Sequence, residues 1–264
     1  INFDNALEAG MIVSSLKDLG YEVGLNLMQS SGKKESEYIE VSREISKWDN
    51  VDILYFADSF GNMDPEEISF IVDSLKKEWK GELGFHSHNN KGFALSNSLK
   101  AIDKGISFCD CTVTGMGRGA GNVTTESLLM ELENKDLLKV NLSLLQGTVS
   151  NFSELQKKYG WGANMHYQYA ANHNIHPTFV QTLSEDDRYD QYQAFKILEA
   201  LAQEENSWRK VDGSVVPFGC PDCVDDITGR IEDTSTLRNQ IPKGSADRAH
   251  LNGVLAFLRK KNRQ

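Results

Sequence analysis

A chain of 264 residues, 39% of them hydrophobic and 25% charged, has the composition of a globular protein with one large core or two smaller ones. Its net charge of −10 makes the nucleic-acid backbone an unfavourable partner. No apolar run approaches the roughly 18 residues that a membrane-spanning helix requires, and the first residues lack the pattern of a secretory signal. We therefore expect a cytoplasmic protein that acts on small molecules rather than on nucleic acid or at a membrane.

The cysteines and the first residue add two expectations. Cys109 and Cys111 fall in an apolar strand, while Cys220 and Cys223 form a lone CxxC. Structural zinc normally requires a second ligand pair at matching spacing, and none is evident, so a zinc site is not favoured there. The sequence opens at Ile1 without a methionine and runs straight into a helical pattern, which indicates a piece of a longer chain.

Strands and helices are predicted to alternate through the first half of the chain. A first helix is expected at residues 4–19, with its apolar side chains on one face: Leu7, Met11, Ile12, Leu16 and Leu19. The strands are expected at residues 21–28, 51–59, 81–89 and 107–114. The helices that follow them are expected at residues 36–48, 64–79, 93–104 and 124–133.

This alternation repeats at about thirty residues, which is the spacing of βαβ units and requires a parallel sheet. Either an open doubly wound sheet or a (β/α)8 barrel has this arrangement, and both place function at the carboxyl ends of the strands. Beyond residue 135 the pattern loosens, with helices expected at residues 143–159, 189–205 and near 245–260.

Polar residues stand at the carboxyl ends of all four predicted strands. They are Asn26, Asp58 with Ser59, His86 with His88, and the glycine-rich segment Gly115–Asn122. His86 and His88 are two residues apart on a strand and therefore point to the same face. Because neutral imidazole is the commonest protein ligand for a divalent metal, this pair predicts a metal site. Two ordinary surface or core histidines are the alternative.

The glycine-rich segment has a rival interpretation. Gly115, Gly117 and Ala120 match the dinucleotide-binding fingerprint between a strand and a helix. Against it stand Asp110 inside the preceding strand, Arg118 within the loop, and the lack of a following strand that ends in an acid. A loop that lets backbone approach a ligand closely, with an asparagine oxygen at the helix start, is the favoured interpretation.

Three segments together carry a resemblance to a known family: His86–Asn90, Ala57–Gly61 and Gly115–Asn122. Through them the chain resembles the HMG-CoA lyase-like, or pyruvate-carboxyltransferase-like, metallolyase superfamily. Its members include hydroxymethylglutaryl-CoA lyase, the isopropylmalate and homocitrate synthases and 4-hydroxy-2-oxovalerate aldolase, and the motifs look most like those of the last. The resemblance implies a TIM barrel that binds Mn²⁺ or Mg²⁺, with Zn²⁺ also admitted by two imidazoles. It further implies cleavage or formation of a carbon–carbon bond next to a 2-oxo or acyl group.

The resemblance also implies roles for individual residues. The metal ligands would be His86, His88 and Asn122, the last as a ligand or a nearby orienter. The resemblance places Ser59 at the substrate carboxylate and Tyr167, as a catalytic residue, beside the substrate. As polar residues at strand ends, Asn26 and Asp58 are also expected to bind substrate, and Arg118 of the glycine-rich loop is expected to be a catalytic residue that stabilises charge. A solvated arginine and a packed aromatic ring are the alternatives for Arg118 and Tyr167.

Two departures from the family pattern bear on these expectations. The family's first strand ends in an Arg-Asp pair, whose aspartate binds the metal, and the aldolases place a catalytic histidine just after it; nothing in residues 1–20 resembles either. The four strands match the fourth to seventh strands of the barrel, so we expect a TIM barrel whose first strands are missing from the chain. Residues 1–180 would form that partial barrel, and residues 181–264 a mainly helical segment without an assigned function. The catalytic cysteine of the lyase loop is also absent, since Met116 and Arg118 occupy that region.

The expected activity is that of an aldolase that cleaves a 4-hydroxy-2-oxo acid, or a related acyl substrate, to an aldehyde and a pyruvate-like product. One alternative is a condensing synthase of the isopropylmalate type, which joins an acyl-CoA to a 2-oxo acid. The other is a catalytically degenerate barrel that serves as a binding module. A homo-oligomer or an aldehyde dehydrogenase partner is expected from the same resemblance.

Overall fold

The computed structural model describes residues 1–48, 50–186 and 189–208. Contacts divide the chain into one unit, Ile1–Asn172, and a second that begins at His173, a few residues before the predicted boundary at 180. Cys220, Cys223 and the helix expected near 245–260 lie outside the described residues.

The first unit is built around a parallel sheet. Its strands are β1 (Gly24–Leu27), β2 (Ile53–Asp58), β3 (Glu82–Ser87) and β4 (Phe108–Asp110), and they lie side by side in chain order. Each strand falls within the range expected from the sequence. A doubly wound sheet reverses its strand order at a switch point, whereas a barrel adds each strand next to the last, so this sequential order is that of a barrel.

A helix follows each strand as the βαβ pattern predicts, one more precedes the first strand, and two further helices follow the helix after β4. In chain order they are α1 (Gly10–Asp18), α2 (Glu35–Ser46), α3 (Pro65–Leu75), α4 (Ala94–Asp103), α5 (Thr125–Asn134), α6 (Leu142–Tyr159) and α7 (Met165–Asn172). The start of α3 shows why such predictions succeed. Asp64 accepts a hydrogen bond from the N–H of Glu67 at 2.9 Å, and Pro65 occupies the first turn, where no N–H is needed.

The two faces of the sheet differ in packing. Leu54 and Phe56 of β2 and Leu83 and Phe85 of β3 are buried, and together with Leu25 and Leu27 they form the outer face, which packs against side chains of α2, α3 and α4. The alternating positions form the inner face: Asn26, Tyr55, Gly84, His86 and Asp110. Residues at the same level of a parallel sheet point to the same side, and successive residues of a strand point to opposite sides. The polar candidate-site residues therefore lie on one face, and the buried apolar residues lie on the other.

The N-terminal helix differs from the prediction. Residues Phe3–Ala9 form a 3-10 helix that continues as α1, and the buried side chains are Phe3, Ala6, Ala9 and Val13. The face predicted to be apolar is exposed; Met11, for example, is 84% accessible. The small side chains of Ala6 and Ala9 permit close packing that the hydrophobic pattern alone did not favour.

The second unit is described through two helices, α8 (Pro177–Ser184) and α9 (Gln191–Trp208). The second matches the helix expected at 189–205, whereas α8, like α7, was not predicted. None of the described helices combines the length and hydrophobicity needed to cross a bilayer.

Candidate functional site

The two predicted metal-ligand histidines lie at the carboxyl end of β3. His86 is on the strand, and His88 follows its last residue. Their ring centroids are 5.0 Å apart, and the rings are almost perpendicular. The side chain of His86 is 28% exposed. The structure therefore brings the two imidazoles together at a surface-accessible strand end.

Asn122 lies beside them. It pairs with His88 in an isolated antiparallel bridge, and the N–H of Asn89 donates to the carbonyl of Gly121 at 2.9 Å. The side-chain amide of Asn122 donates to the carbonyl of Met116 at 3.4 Å. Its Oδ1 atom is buried and has no hydrogen-bond partner among the described residues. A buried amide oxygen without a donor is costly unless something else satisfies it, which is the state expected of a ligand atom.

The glycine-rich loop is held from its far side by the segment that leads into α7. The indole N–H of Trp161 donates to the carbonyl of Thr114 at 3.0 Å, and the N–H of Gly162 donates to the carbonyl of Gly119 at 3.1 Å. Thr114 has φ = 53°, which is unusual for a β-branched residue. Its N–H donates to the carboxylate of Glu126 at 3.0 Å. Strain of this kind persists only where surrounding contacts impose it.

Tyr167 packs against this loop. It is buried, and its ring lies so close to Gly119 that a Cβ there would be 2.7 Å from a ring carbon. Since Gly119 also has φ = +61°, only glycine fits the position without strain. Arg118, the preceding residue, is exposed, and its carbonyl accepts a hydrogen bond from the N–H of Gly121 at 3.0 Å. Of the two predicted catalytic residues, Arg118 is thus on the glycine-rich loop, and Tyr167 packs against that loop from α7.

Ser59 links the loops that follow β1 and β2. Its hydroxyl oxygen accepts a hydrogen bond from the N–H of Gln29 at 2.8 Å, which leaves its own proton to donate elsewhere. Gln29 has φ = 58°, and its side-chain oxygen accepts a hydrogen bond from the amide of Asn2 at 2.8 Å.

Asp58 points the other way. It is fully buried, and its carboxylate accepts hydrogen bonds from the backbone N–H groups of Asn62 at 2.9 Å and Met63 at 3.3 Å. Burial raises the pKa of Asp58 to about 7, although both N–H groups act in the opposite direction. Through these hydrogen bonds Asp58 stabilises the loop after β2, and its burial does not support direct contact with a substrate.

Asn26 is on the inner face of β1. Its Oδ1 atom is buried without a partner among the described residues, as is the hydroxyl oxygen of Thr112 just beyond β4. With Asn122, three buried side-chain oxygens without a partner therefore lie on β1, just after β4 and in the glycine-rich loop.

Two residues of this region were missed from the sequence, Asp110 and Thr112. Asp110 lies opposite His86 in the sheet, and one of its carboxylate oxygens is 2.9 Å from His86 Nδ1. The sequence spacing of two residues predicts that Asp110 and Thr112 point to the same face. The position of Asp110 beside His86 depends on the register between β3 and β4, which the sequence does not reveal.

The donor atoms fit a divalent cation. Two imidazoles and an unsatisfied amide oxygen form a mixed nitrogen and oxygen set that Mn²⁺ and Zn²⁺ accept, whereas Mg²⁺ prefers oxygen. Within residues 1–48, 50–186 and 189–208, no group of three or more His, Cys, Asp or Glu side chains surrounds a single metal position. Among these residues, His86, His88 and Asn122 could hold part of a coordination shell, with Asn122 as the oxygen donor.

Comparison with known proteins agrees with this geometry. The 4-hydroxy-2-oxovalerate aldolase of Carboxydothermus hydrogenoformans is 35% identical over 116 residues, which cover 44% of this chain and 34% of that protein. The oxaloacetate decarboxylase of Mycobacterium tuberculosis is 33% identical over 123 residues, covering 47% and 36% respectively. The chain thus spans about a third of the length of the curated relatives it matches.

Solved structures show the same fold. The N-terminal domain of a Bacteroides vulgatus protein described as an aldolase superposes with a TM-score of 0.65 at 35% identity, covering 69% of this chain and 60% of that one. The carboxyl transferase domain of Rhizobium etli pyruvate carboxylase gives a TM-score of 0.69 at 12% identity, covering 89% and 42%. These neighbours are TIM-barrel domains, which identifies the four-stranded sheet as part of a barrel. The HMGL-like family model matches residues 4–152, more than half of the sequence, and the chain belongs to the HMGL-like family.

Proposed function

We propose that this chain carries the metal-binding strands of a divalent-metal-dependent carbon–carbon lyase, an aldolase that cleaves a 4-hydroxy-2-oxo acid to an aldehyde and a pyruvate-like product. The observation that carries the proposal is the grouping of His86, His88 and the unsatisfied Oδ1 of Asn122 at one strand end. Relatives named as 4-hydroxy-2-oxovalerate aldolases, at 35% identity in the example above, support the choice of substrate class.

His86, His88 and Asn122 would hold the cation, with Mn²⁺ as the ion that best fits these donors and Mg²⁺ or Zn²⁺ as the alternatives. When bound, the cation supplies Lewis-acid stabilisation of the negative charge that develops on the oxo-acid oxygen during cleavage. The bond between C3 and C4 of the substrate breaks as the 4-hydroxyl proton leaves. C4 becomes the aldehyde carbon, and C3 takes a proton to give the pyruvate-like product.

The remaining residues of the site bind and orient the substrate in this proposal. Ser59 has a hydroxyl proton available for a substrate carboxylate, because its oxygen is already an acceptor for Gln29. The Oδ1 atom of Asn26 is an acceptor for a substrate hydroxyl. Tyr167 packs against Gly119, and Arg118 precedes it. The phenol of Tyr167 would position the substrate hydroxyl that loses its proton. The guanidinium of Arg118 would offset negative charge on the substrate. Asp58 acts indirectly, by holding the loop that carries Ser59.

Decarboxylation of oxaloacetate is the second candidate, and a relative at 33% identity favours it. Both reactions break a bond to C3 of a 2-oxo acid and leave a pyruvate-like product, so the same residues would serve either one. They differ in the second product, which is an aldehyde in the first reaction and carbon dioxide in the other. An oligomer of this chain, or a dehydrogenase that takes the aldehyde, is the expected partner of the aldolase.

Metal content tests the site first. Elemental analysis of the purified chain, loaded with Mn²⁺ and desalted, is expected to give stoichiometric metal, and His86→Ala/His88→Ala is expected to lose it. His173→Ala, which removes an imidazole in the second unit, is the control and should retain the metal. Equal metal in the double variant and the wild type would refute the assignment of both histidines.

Activity tests the substrate class. The loaded chain would be supplied with 4-hydroxy-2-oxovalerate or with oxaloacetate, and pyruvate, aldehyde and carbon dioxide would be measured. Aldehyde release with the first substrate supports the aldolase, and carbon dioxide release with the second supports the decarboxylase. Acyl-CoA-dependent release of free thiol would instead indicate the condensing synthase.

A further inference from the structure

Asp110 and His86 face each other across neighbouring strands. They are partners in the parallel register of β3 and β4, and His86 Nδ1 is 2.9 Å from a carboxylate oxygen of Asp110. A carboxylate can only accept a hydrogen bond, so a neutral His86 must carry its proton on Nδ1 to make this contact. The other ring nitrogen, Nε2, then keeps its lone pair.

Tyr55, on the next strand, extends toward the same carboxylate. It lies level with Gly84 in the register of β2 and β3, and a Cβ at Gly84 would stand 2.5 Å from the Tyr55 ring. The ring therefore crosses β3 where no side chain obstructs it, and its centroid is 6.4 Å from that of Phe108 on β4. Burial raises the pKa of Tyr55, and the negative charge of the nearby Asp110 carboxylate raises it further.

The Asp110 carboxylate thus faces His86 of β3 on the inner face, with Tyr55 of β2 nearby on the same face. The Asp110 side chain is 48% exposed, yet its carboxylate lies 2.9 Å from His86 Nδ1 on β3. A histidine that binds a metal commonly donates its second ring N–H to a carboxylate, which fixes the tautomer and the orientation of the ring.

We propose that Asp110 is a positioning residue for the metal site: it accepts the Nδ1 proton of His86 and so presents Nε2 as the ligand atom, while Tyr55, admitted by Gly84, restrains the Asp110 carboxylate. This inference rests on the proposed metal site and adds to it the residues that contact the ligand His86 rather than the metal. It explains why an acid, an aromatic ring and a glycine occupy these three inner-face positions, a grouping that the metal ligands alone do not require.

The test measures the tautomer of His86 and the metal affinity separately. Proton–nitrogen correlation spectra of the ¹⁵N-histidine-labelled, metal-free chain at alkaline pH report which ring nitrogen carries the proton. Titration with Mn²⁺ then gives the dissociation constant. The variants are Asp110→Asn, Asp110→Ala and Tyr55→Phe, with Asp103→Asn as the control, because Asp103 is an exposed carboxylate paired with Lys135.

The wild type is expected to show His86 protonated on Nδ1. Asp110→Ala should shift the proton toward Nε2 and weaken Mn²⁺ binding by about 10- to 100-fold, the usual effect of removing an outer-layer partner. Asp110→Asn keeps an acceptor oxygen and should retain the tautomer with a smaller loss of affinity. Tyr55→Phe should retain the tautomer and weaken binding least, and Asp103→Asn should match the wild type.

An unchanged tautomer in Asp110→Ala, in a variant with the wild-type unfolding midpoint, would overturn the proposal. Complete loss of Mn²⁺ in Asp110→Asn with the tautomer retained would also overturn it, since Asp110 would then be a direct ligand. A wild type that binds no Mn²⁺ would refute the proposed function, while the tautomer of Asp110→Ala would still decide whether Asp110 sets the state of His86.

Discussion

On the outer face of the sheet, the rings of Phe56 and Phe85 stack at 4.7 Å between centroids and are inaccessible to solvent. On the inner face, one residue further along β3, the ring of His86 stands 5.0 Å from that of His88 and remains partly exposed. Consecutive residues of one strand therefore differ in environment, since the side chains alternate between two faces. The comparison shows how the same four strands can hold the core together and offer reactive groups to solvent.

The largest expected effect comes from breaking the outer face. Phe85→Ala should lower the free energy of unfolding by about 3–5 kcal/mol, the usual range for a buried phenylalanine, because it leaves a cavity beside Phe56. Urea unfolding followed by circular dichroism measures this. The neighbouring His86→Ala should lower it by less than about 1.5 kcal/mol, the net worth of its hydrogen bond to Asp110. Similar losses in both variants would contradict the separation of the faces.

The pH dependence of stability tests the buried outer face at Asp58, the last residue of β2, whose side chain points to that face. Between its ordinary pKa of 3.8 and its raised pKa of about 7, the native state binds this proton and the unfolded state does not. The stability contributed by protonated Asp58 is therefore complete below pH 3.8 and is lost as the pH rises to about 7, by at most about 1.4 kcal/mol per pH unit.

Unfolding free energies across this pH range should show the decline in the wild type and a shallower one in Asp58→Asn, which removes the titrating group. Asp73→Asn serves as control because it removes an exposed carboxylate. A wild-type curve parallel to that of Asp58→Asn would show that Asp58 is ionised without cost.

The smallest expected effect concerns a residue on neither face. Asp64 caps α3 by accepting the N–H of Glu67, so Asp64→Ala should lower the free energy of unfolding by about 1 kcal/mol. Asp64→Ser, which keeps an acceptor oxygen, should restore most of it. Metal binding should be unchanged in both variants, and a loss of Mn²⁺ would show that α3 is coupled to the site more tightly than the contacts indicate.

Features encoded within a few residues were predictable from the sequence. The start of α3 follows from Asp64 and Pro65, and the shared face of His86 and His88 follows from their spacing. The four parallel strands followed from the repeat of apolar runs and helices.

Features that depend on neighbours distant in sequence were not predictable. The burial of Ala6 and Ala9 in place of Leu7 and Met11 depends on what packs against the first helix. The pairing of Asp110 with His86 depends on the register of two strands. Asp58 and Ser59 were grouped as substrate-binding residues because they share one strand-end motif, whereas in the structure Asp58 is buried and the Ser59 hydroxyl accepts a hydrogen bond from Gln29 of the neighbouring loop.

The indole of Trp161, hydrogen-bonded to Thr114 at the base of the glycine-rich loop, has a practical consequence. Indole emission responds to hydrogen bonding and polarity, so the chain contains its own optical reporter for the state of that loop. Cation loading or substrate entry could be followed by fluorescence without an attached dye, and a Trp161→Phe variant would identify the share of the signal that comes from this ring.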